Sequence, residues 1–431
     1  MKEVYSVNDH SNVCEPSVHI YKINKILNIY QLYCHFNDKK SVLINKDKSF
    51  QWIGIGQYKA IQLDEINPAA VEKTFKGYFK HIDTDLKRHV KLFGGFHFDQ
   101  LGSSYFKDFD LSHFYIPKVQ IEIANGETIV TLIDGSQEEL NQIVLAIENL
   151  DTLIGNLNIT INTPEIASVV DLDLNQFKDN VLKATHLMTT SDLDKVVLSR
   201  KKRVQMTHID PADILYRALT NDEFSYFAMI PSNDAIFITK TPEQLVKLEG
   251  QTYVTNAIAG TMDKNMPDAK NVLLNDEKNL MEHQLVTNSI VSDLKQVTED
   301  IVYHHSPIIM ENQFFYHLYT PISGKLQNAS LLDLAKILHP TPALGGFPKY
   351  LSNAFLKEAN EERGLYGAPL GYMDLCGDGE FIVSIRSMLI QGNEALMFGG
   401  CGIIKDSQVD LEVHETEIKF NPMFKMLGGK L

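Results

Sequence analysis

The stretch Asp194-Lys195-Val196-Val197-Leu198-Ser199-Arg200 is the part of this sequence that most limits how the chain can fold. Val196, Val197 and Leu198 form a short apolar run followed by basic residues, the pattern of a buried strand. A lysine at the mouth of such a strand has two readings. Most lysines stay exposed, so a solvated strand-end residue is the ordinary one. The other is a partly desolvated amine whose pKa falls until it can act as a base. The heptapeptide leaves both open.

The rest of the chain narrows the function classes. Its 431 residues are enough for a sizeable core, and 44% hydrophobic with 22% charged residues is ordinary for a globular protein. A net charge of −15 argues against a nucleic-acid partner, which would need a basic face. It also means that an acidic substrate would require local cations. Cys14, Cys34, Cys376 and Cys401 show no CxxC spacing, which fits a reducing compartment and no zinc site. The N-terminal segment has no apolar signal core, and no window is apolar enough to span a membrane. A cytoplasmic protein with no membrane partner is the expectation.

Up to about residue 165 the pattern is mixed. Ser41 to Asn45 and Ala60 to Leu63 read as strands, and Gly54-Ile55-Gly56 after Trp52 reads as a tight turn, since no third glycine or helix follows. Phe93 to Phe98 is a glycine-broken aromatic strand. Val119 to Ile133 is a hairpin about Asn125-Gly126, and Ser136 caps a helix to about Asn149. Asn156 to Pro164 is a connection. From about 171 helices and strands follow in turn: helices at Leu174–Met188, Pro211–Leu219, Asn275–Leu294, Lys349–Ala359 and Val409–Met426, and strands at Lys195–Gln205, Tyr253–Ile258 and Gln313–Ile322. Phe224–Met229 and Ala235–Thr239 pair across Pro231 to Asp234, and Thr241-Pro242-Glu243 opens a helical turn. Gly371–Leu375, Glu380–Ile390 and Ala395–Ile404 read as adjacent antiparallel strands.

Several groups in this frame can carry chemistry. Glu412 and Glu415 lie three apart and face one side of the last helix, while Glu282 lies on the long helix. Carboxylates from two helices can hold Mg²⁺, or can simply be surface glutamates. Gly399-Gly400-Cys401-Gly402 lets backbone N–H groups approach an anion, or is a sharp turn. Arg386, in an otherwise apolar strand, suits a carboxylate or a structural ion pair. His339 to Gly346 reads as scaffolding, and His317 as a satisfied core histidine.

Taken together, these motifs resemble the chorismate-utilising enzymes, among them isochorismate synthase, salicylate synthase and the first components of anthranilate and aminodeoxychorismate synthases. The stretches that carry the resemblance are KVVLSR, TPEQL, AIAGT, DEKNLMEHQLV, HPTPALGG, ERGLYGAPLGY, VSIRS, GGCGI and LEVHETEIK, running in this order from Lys195 to Lys419. WIGIG and FGGFHF are similar to the family's weaker N-terminal landmarks.

The resemblance implies an α+β fold like that of anthranilate synthase component I: two large antiparallel sheets packed face to face, helices outside and the site in a cleft. It implies a single domain over residues 1–431, with a divergent part to 165 and a catalytic part from 166. Lys195 present, with Ala259 where the aminodeoxychorismate branch has a lysine, resembles the water-adding branch. That implies isochorismate synthase, feeding menaquinone or a catecholate siderophore. Salicylate synthase and a catalytically silent chorismate-binding protein are the alternatives. By resemblance Lys195 is the base that activates water and Glu243 the acid that protonates the departing hydroxyl, two groups pushed toward opposite ionisation. Glu282, Glu415 and Glu412 are implied Mg²⁺ ligands, and the cation answers the charge problem. Tyr366, Arg386 and the Gly400–Gly402 backbone are implied to clamp the enolpyruvyl carboxylate, with Lys419 adding charge. Ala259, Gly260, Thr261 and His317 are implied to lie near the ring. No amidotransferase subunit is expected, and a monomer or homodimer is. The chain departs from the family in the Gly367-Ala368 order, in Cys401 where a smaller residue is usual, and in Asn279 where some salicylate synthases have a glutamate.

Overall fold

The Lys195 stretch opens the strand Lys195–Met206, which runs antiparallel to Glu394–Ile404, from Lys195 opposite Ile404 to Gln205 opposite Glu394. The computed structural model describes residues 15–150, 164–221, 224–311 and 315–429. Among them the strands form a 12-stranded and a 10-stranded sheet, with antiparallel neighbours throughout. The 12-stranded sheet runs from Val18–Ile23 through Glu127–Ile133, Val119–Ala124, Phe50–Ile55 and Lys40–Ile44 to Tyr226–Ser232. It continues through Ala235–Thr241, Ser387–Gln391 and Glu394–Ile404 to Lys195–Met206, which also pairs with Ile166–Asp171 and Gly346–Phe347. The 10-stranded sheet places Gln244–Glu249 between Thr252–Asp263 and Gly379–Val383, with Pro369–Asp374 and Lys91–Phe96 beyond. Both sheets take strands from the first and the later parts of the chain.

The sheets face each other across an aromatic core. Trp52, Tyr226, Phe237 and Phe398 from one sheet meet Phe93, Tyr115 and Ile382 from the other. Helices cover the outer faces. Gln137–Glu148, Pro211–Thr220 and Val409–Leu427 bury apolar stripes on the larger sheet. Pro68–Tyr78, Glu277–Leu294 and Leu331–Leu338 do so on the smaller. No helix among the described residues is long and apolar enough to cross a membrane.

Local chemistry fixes many of these elements where the sequence placed them. Asn125 and Gly126 have φ of 52° and 84°, the left-handed pair a type I′ turn requires. The Ser136 side chain accepts from Glu139 N at 3.1 Å and starts its helix. Four expectations change. Gly54 and Ile55 lie within a strand, and only Gly56, at φ 63°, turns; a Cβ at Gly54 would stand 2.4 Å from Pro117. The strand expected to end at Met229 runs on to Ser232 while its partner begins at Ala235 as expected, leaving Asn233-Asp234 as the turn. Thr241-Pro242-Glu243 opens no helix, because Leu245, Val246 and Leu248 continue as a buried strand paired with Gly379–Val383. Glu380–Ile390 is two strands, one in each sheet. Most of the connection expected at Asn156–Pro164, and Gln313, lie outside the described residues.

The last two corrections have one cause. The chain steps from the larger to the smaller sheet between Thr241 and Gln244, and back between Val383 and Ser387. The two steps run side by side. Val383 N donates to Glu243 O at 3.0 Å, and Lys240 N donates to Arg386 O at 3.0 Å. Thr239 Oγ1 donates to Ile385 O at 2.7 Å. Arg386 sits at φ 50°, a conformation costly for a residue with a Cβ and tolerated only where neighbours impose it.

A buried ion pair holds the strand that carries Lys195. Glu361 accepts from Ser199 N at 2.9 Å, from Ser199 Oγ at 2.7 Å and from Arg363 Nη2 at 2.6 Å. Arg363, 4% exposed, also donates to the carbonyls of Val197 and Leu344. Removing one partner of such a pair leaves a buried charge uncompensated. Arg363→Met is therefore predicted to lose about 3–5 kcal/mol of stability in chemical denaturation.

Candidate active site

The Lys195 side chain lies on the face of its strand toward Gly402 and Glu282. The diagonal neighbour Gly402 makes room for it: a Cβ there would stand 2.7 Å from Lys195 Cε. Lys195 Nζ donates to Glu282 Oε1 at 3.0 Å, on the helix Glu277–Leu294. Gly400 clears space in the same way, since a Cβ there would meet Tyr366 Oη at 2.7 Å. Tyr366 is buried and stacked on Phe398, with ring centroids 5.4 Å apart, and burial pushes its phenol up to about 12. Lys419 Nζ donates to Gly400 O at 2.7 Å and to Glu415 Oε1 at 2.6 Å.

Successive residues of a strand face opposite ways. Gly400 and Gly402 face the cleft, whereas Cys401 is buried with Phe177 and Leu356 beneath the helices. The larger residue at 401 therefore does not alter the cleft wall. Burial raises the Cys401 thiol well above its ordinary value, and nearby Glu412 adds to this.

Glu243 and Arg386 occupy the paired steps between the sheets. Burial raises the Glu243 carboxyl above its ordinary value, against the opposing pull of Arg386, Lys46 and Lys195. Desolvation wins over three cations, so the protonated form is favoured relative to a carboxyl in water.

A second wall comes from the strand Thr252–Asp263. It bulges between Ala259 and Thr261, with Gly260 at φ 78° against Asn279. Thr261 N donates to Asn279 Oδ1 at 3.3 Å, and Thr261 Oγ1 lies 2.9 Å from His317 Nδ1. His317 is thus partnered on this wall rather than enclosed in the core, and burial lowers its pKa. His283 locks the Glu282 helix to the same strand. Its Nδ1 lies 3.2 Å from Ala259 O, which can only accept, and its Nε2 lies 2.8 Å from Thr320 Oγ1. Burial lowers its pKa, so the neutral Nδ1–H form satisfies both contacts.

The carboxylates Glu282 and Glu415 each hold a lysine, at 3.0 and 2.6 Å. Glu412 is buried one turn before Glu415, beside Cys401. Oxygen donors from two helices are the chemistry a hard divalent cation uses, and the lysines show that this end of the cleft already compensates negative charge with positive. Among the described residues no three His, Cys, Asp or Glu side chains are gathered closely enough to ligate one ion as they stand.

The structure thus brings Lys195, Glu282, Gly400, Gly402, Tyr366, Glu415 and Lys419 together, with Glu243 and Arg386 at the steps between the sheets. Ala259, Gly260, Thr261 and His317 form the wall joined to them through the Glu282 helix. Sequence reasoning missed Lys46, which lies in a polar turn with no motif, and missed that His283, although inside a quoted stretch, ties the helix down.

Known proteins share this sequence pattern and this fold. Residues 2–428 match the chorismate binding enzyme family. The chain is 31% identical over 408 residues to isochorismate synthase MenF of Bacillus subtilis (strain 168), covering 88% of this chain and 85% of that protein. It is 32% identical over 262 residues to isochorismate synthase EntC of Escherichia coli (strain K12), covering 58% of this chain and 67% of that one. Among solved structures, the menaquinone-specific isochorismate synthase MenF from Escherichia coli superposes with a TM-score of 0.80 at 20% identity, covering 96% of this chain and 95% of that one. Anthranilate synthase component I from Streptococcus pneumoniae superposes with a TM-score of 0.69 at 19% identity, covering 99% and 95%.

The raised Glu243 carboxyl has a thermodynamic consequence. A carboxyl whose folded pKa exceeds its unfolded value costs stability once pH rises above the unfolded value, and the cost levels off above the folded one. Glu243→Gln, which mimics the protonated form, is predicted to be more stable than wild type at neutral pH. Its advantage should vanish as pH falls below the ordinary glutamate range, in denaturation curves recorded against pH.

Proposed function

We propose, on the premise that the chain belongs to the chorismate-binding enzyme family, that it is an isochorismate synthase, an isomerase that converts chorismate to isochorismate. Water adds at C2 of the ring and the C4 hydroxyl departs. The observation that carries the chemical reading is Glu243. A carboxyl biased toward its protonated form, within electrostatic reach of Lys195, suits the acid this reaction needs.

In this reading Lys195 takes a proton from the attacking water. Glu243 gives its proton to the C4 hydroxyl, which leaves as water. At the end of a turnover Lys195 holds one proton more and Glu243 one fewer, and passage of a proton between them restores the starting state. The Lys195–Glu282 bond orients the amine over Gly402. Arg386, Tyr366 and the Gly400–Gly402 backbone hold the enolpyruvyl carboxylate, with Lys419 adding charge. Ala259, Gly260, Thr261 and His317 line the ring. Glu282, Glu412 and Glu415 are the side chains that would hold Mg²⁺, which when bound supplies the positive charge that lets the ring carboxylate approach these anionic side chains. We place the enzyme in the cytoplasm, supplying menaquinone or catecholate siderophore synthesis.

Incubating the protein with chorismate and Mg²⁺, with and without chelator, and separating the products by chromatography tests this reading. Isochorismate alone, lost on chelation, is the expected result. Salicylate with pyruvate would move the assignment to salicylate synthase, and chorismate bound without turnover would refute the catalytic roles. Lys195→Ala and Glu243→Gln are each predicted to lose about 10²–10⁴-fold in kcat while folding normally by circular dichroism. Gly402→Val should also fold and lose turnover, because its side chain takes the space of the Lys195 stem.

A further inference from the structure

The bulge in the strand Thr252–Asp263 is stitched to the Glu282 helix at two points, one on each side of the extra residue. Ala259 stands opposite Leu318 and Thr261 opposite His317, so Gly260 is that residue. After it, Thr261 N donates to Asn279 Oδ1 at 3.3 Å. Before it, Ala259 O lies 3.2 Å from His283 Nδ1 and can only accept, so Nδ1 is the donor. The other ring nitrogen then accepts from Thr320 Oγ1 at 2.8 Å, on the neighbouring strand Phe315–Lys325. Asn279 and His283 are four residues apart and share one face of the helix. His283, 3% exposed, thus ties one helix to two strands.

The two anchors are unequal. Asn279 is set by the start of the helix: its N and its Nδ2 donate to Asp276 Oδ1 at 2.8 and 2.7 Å, which leaves Oδ1 for Thr261. Gly260 packs closely there, since a Cβ on it would stand 3.2 Å from Asn279 Cβ. That contact fixes a point on the helix, and His283, one turn on, fixes its roll about that point. The strand itself is held from both sides, by Gln244–Glu249 and by Phe315–Lys325. Losing His283 therefore moves the helix and not the wall. Glu282, the residue before His283, moves with it, and Glu282 Oε1 is the partner of Lys195 Nζ at 3.0 Å.

We propose that His283 is a positioning residue for the Lys195–Glu282 pair: its bond to Ala259 O sets the roll of the helix, and with it the place where the Glu282 carboxylate meets the Lys195 amine. His283 does not touch substrate, because it is buried and both its ring nitrogens are engaged within the protein. It acts through Glu282. This inference rests on the isochorismate synthase reading, which gives Lys195 its role as base.

The test uses the full-length protein and three substitutions. In His283→Asn the side-chain amide falls near the Nδ1 position and still donates to Ala259 O. In His283→Gln it falls near the Nε2 position and reaches Thr320 alone, and His283→Leu reaches neither. With chorismate and saturating Mg²⁺, and kcat referred to folded protein, His283→Leu and His283→Gln are expected to lose about 10- to 100-fold, the scale of an ångström-sized misplacement, while His283→Asn stays within about threefold of wild type. KM for chorismate should change by less than about twofold in all of them, since the wall stays in its sheet. A second readout needs neither turnover nor metal: acetylation of Lys195 by acetic anhydride in metal-free protein, followed by mass spectrometry. Released from Glu282, the amine should label several-fold faster in His283→Leu and His283→Gln but not in His283→Asn, with Lys419 as the unchanged reference. Unchanged Lys195 labelling in folded His283→Leu would overturn the role of His283, whatever its kcat. Equal losses in His283→Asn and His283→Gln would also overturn it, because the bond to Ala259 would then not be the one that matters. This contrast decides the matter even where the apolar variant fails to fold. Wild-type protein that leaves chorismate unchanged would refute the isochorismate synthase reading, and Lys195 labelling would then decide the positioning role by itself.

Discussion

Two segments cross between the sheets side by side, and the rest of the site depends on how they are tied. Strands paired within one sheet, Ala235–Thr241 with Ser387–Gln391, continue into strands paired within the other, Gln244–Glu249 with Gly379–Val383. The bonds Val383 N to Glu243 O and Lys240 N to Arg386 O leave neither step free to shift without the other. A carboxyl and a guanidinium are thereby held between two layers that pack at interior density. Such layers resist continuous deformation, so the spacing of Glu243 and Arg386 follows from the sheets themselves.

Charge is the second theme. The chain carries a net −15, yet the site gathers Lys195 and Lys419, each paired with a carboxylate, and Arg386 within electrostatic reach of Glu243. Glu282 and Glu415 are 42% and 52% exposed, so their pairs with Lys195 and Lys419 add only about 0–1 kcal/mol each, and what they supply is positive charge beside carboxylates. At Glu243 three cations oppose desolvation and desolvation prevails. A carboxyl balanced in this way can release a proton in one direction of an isomerisation and retake it in the other.

The sequence carried much of this because the strongest signals were local. The Lys195 strand, the Asn125-Gly126 hairpin, the Ser136 cap and the helix Lys349–Ala359 all rest on neighbours a few residues apart, and all stand in the structure. The order of motifs pointed to the fold. What the sequence hid is non-local. Glu380 to Ile390 is continuously compatible with a strand, and only the tie to Lys240 and the left-handed Arg386 reveal that it changes sheet. The same applies to Thr241-Pro242-Glu243, where proline before glutamate imitates a helix start. Cys401 is a matter of facing: one residue along a strand reverses which layer a side chain meets. Lys46 is separated from Glu243 by nearly two hundred positions and sits in a turn whose composition announces only a turn.

The central claim is that the fold holds Glu243 as a proton donor. Infrared difference spectra between wild-type protein and Glu243→Gln, recorded across pH, isolate the carboxyl band of that one side chain. The protonated band is predicted to persist above the ordinary glutamate range near about 4.3 and to give way to the carboxylate only at higher pH. A band that disappears at or below that range would show an ordinary ionised carboxylate between the sheets, and would contradict the account.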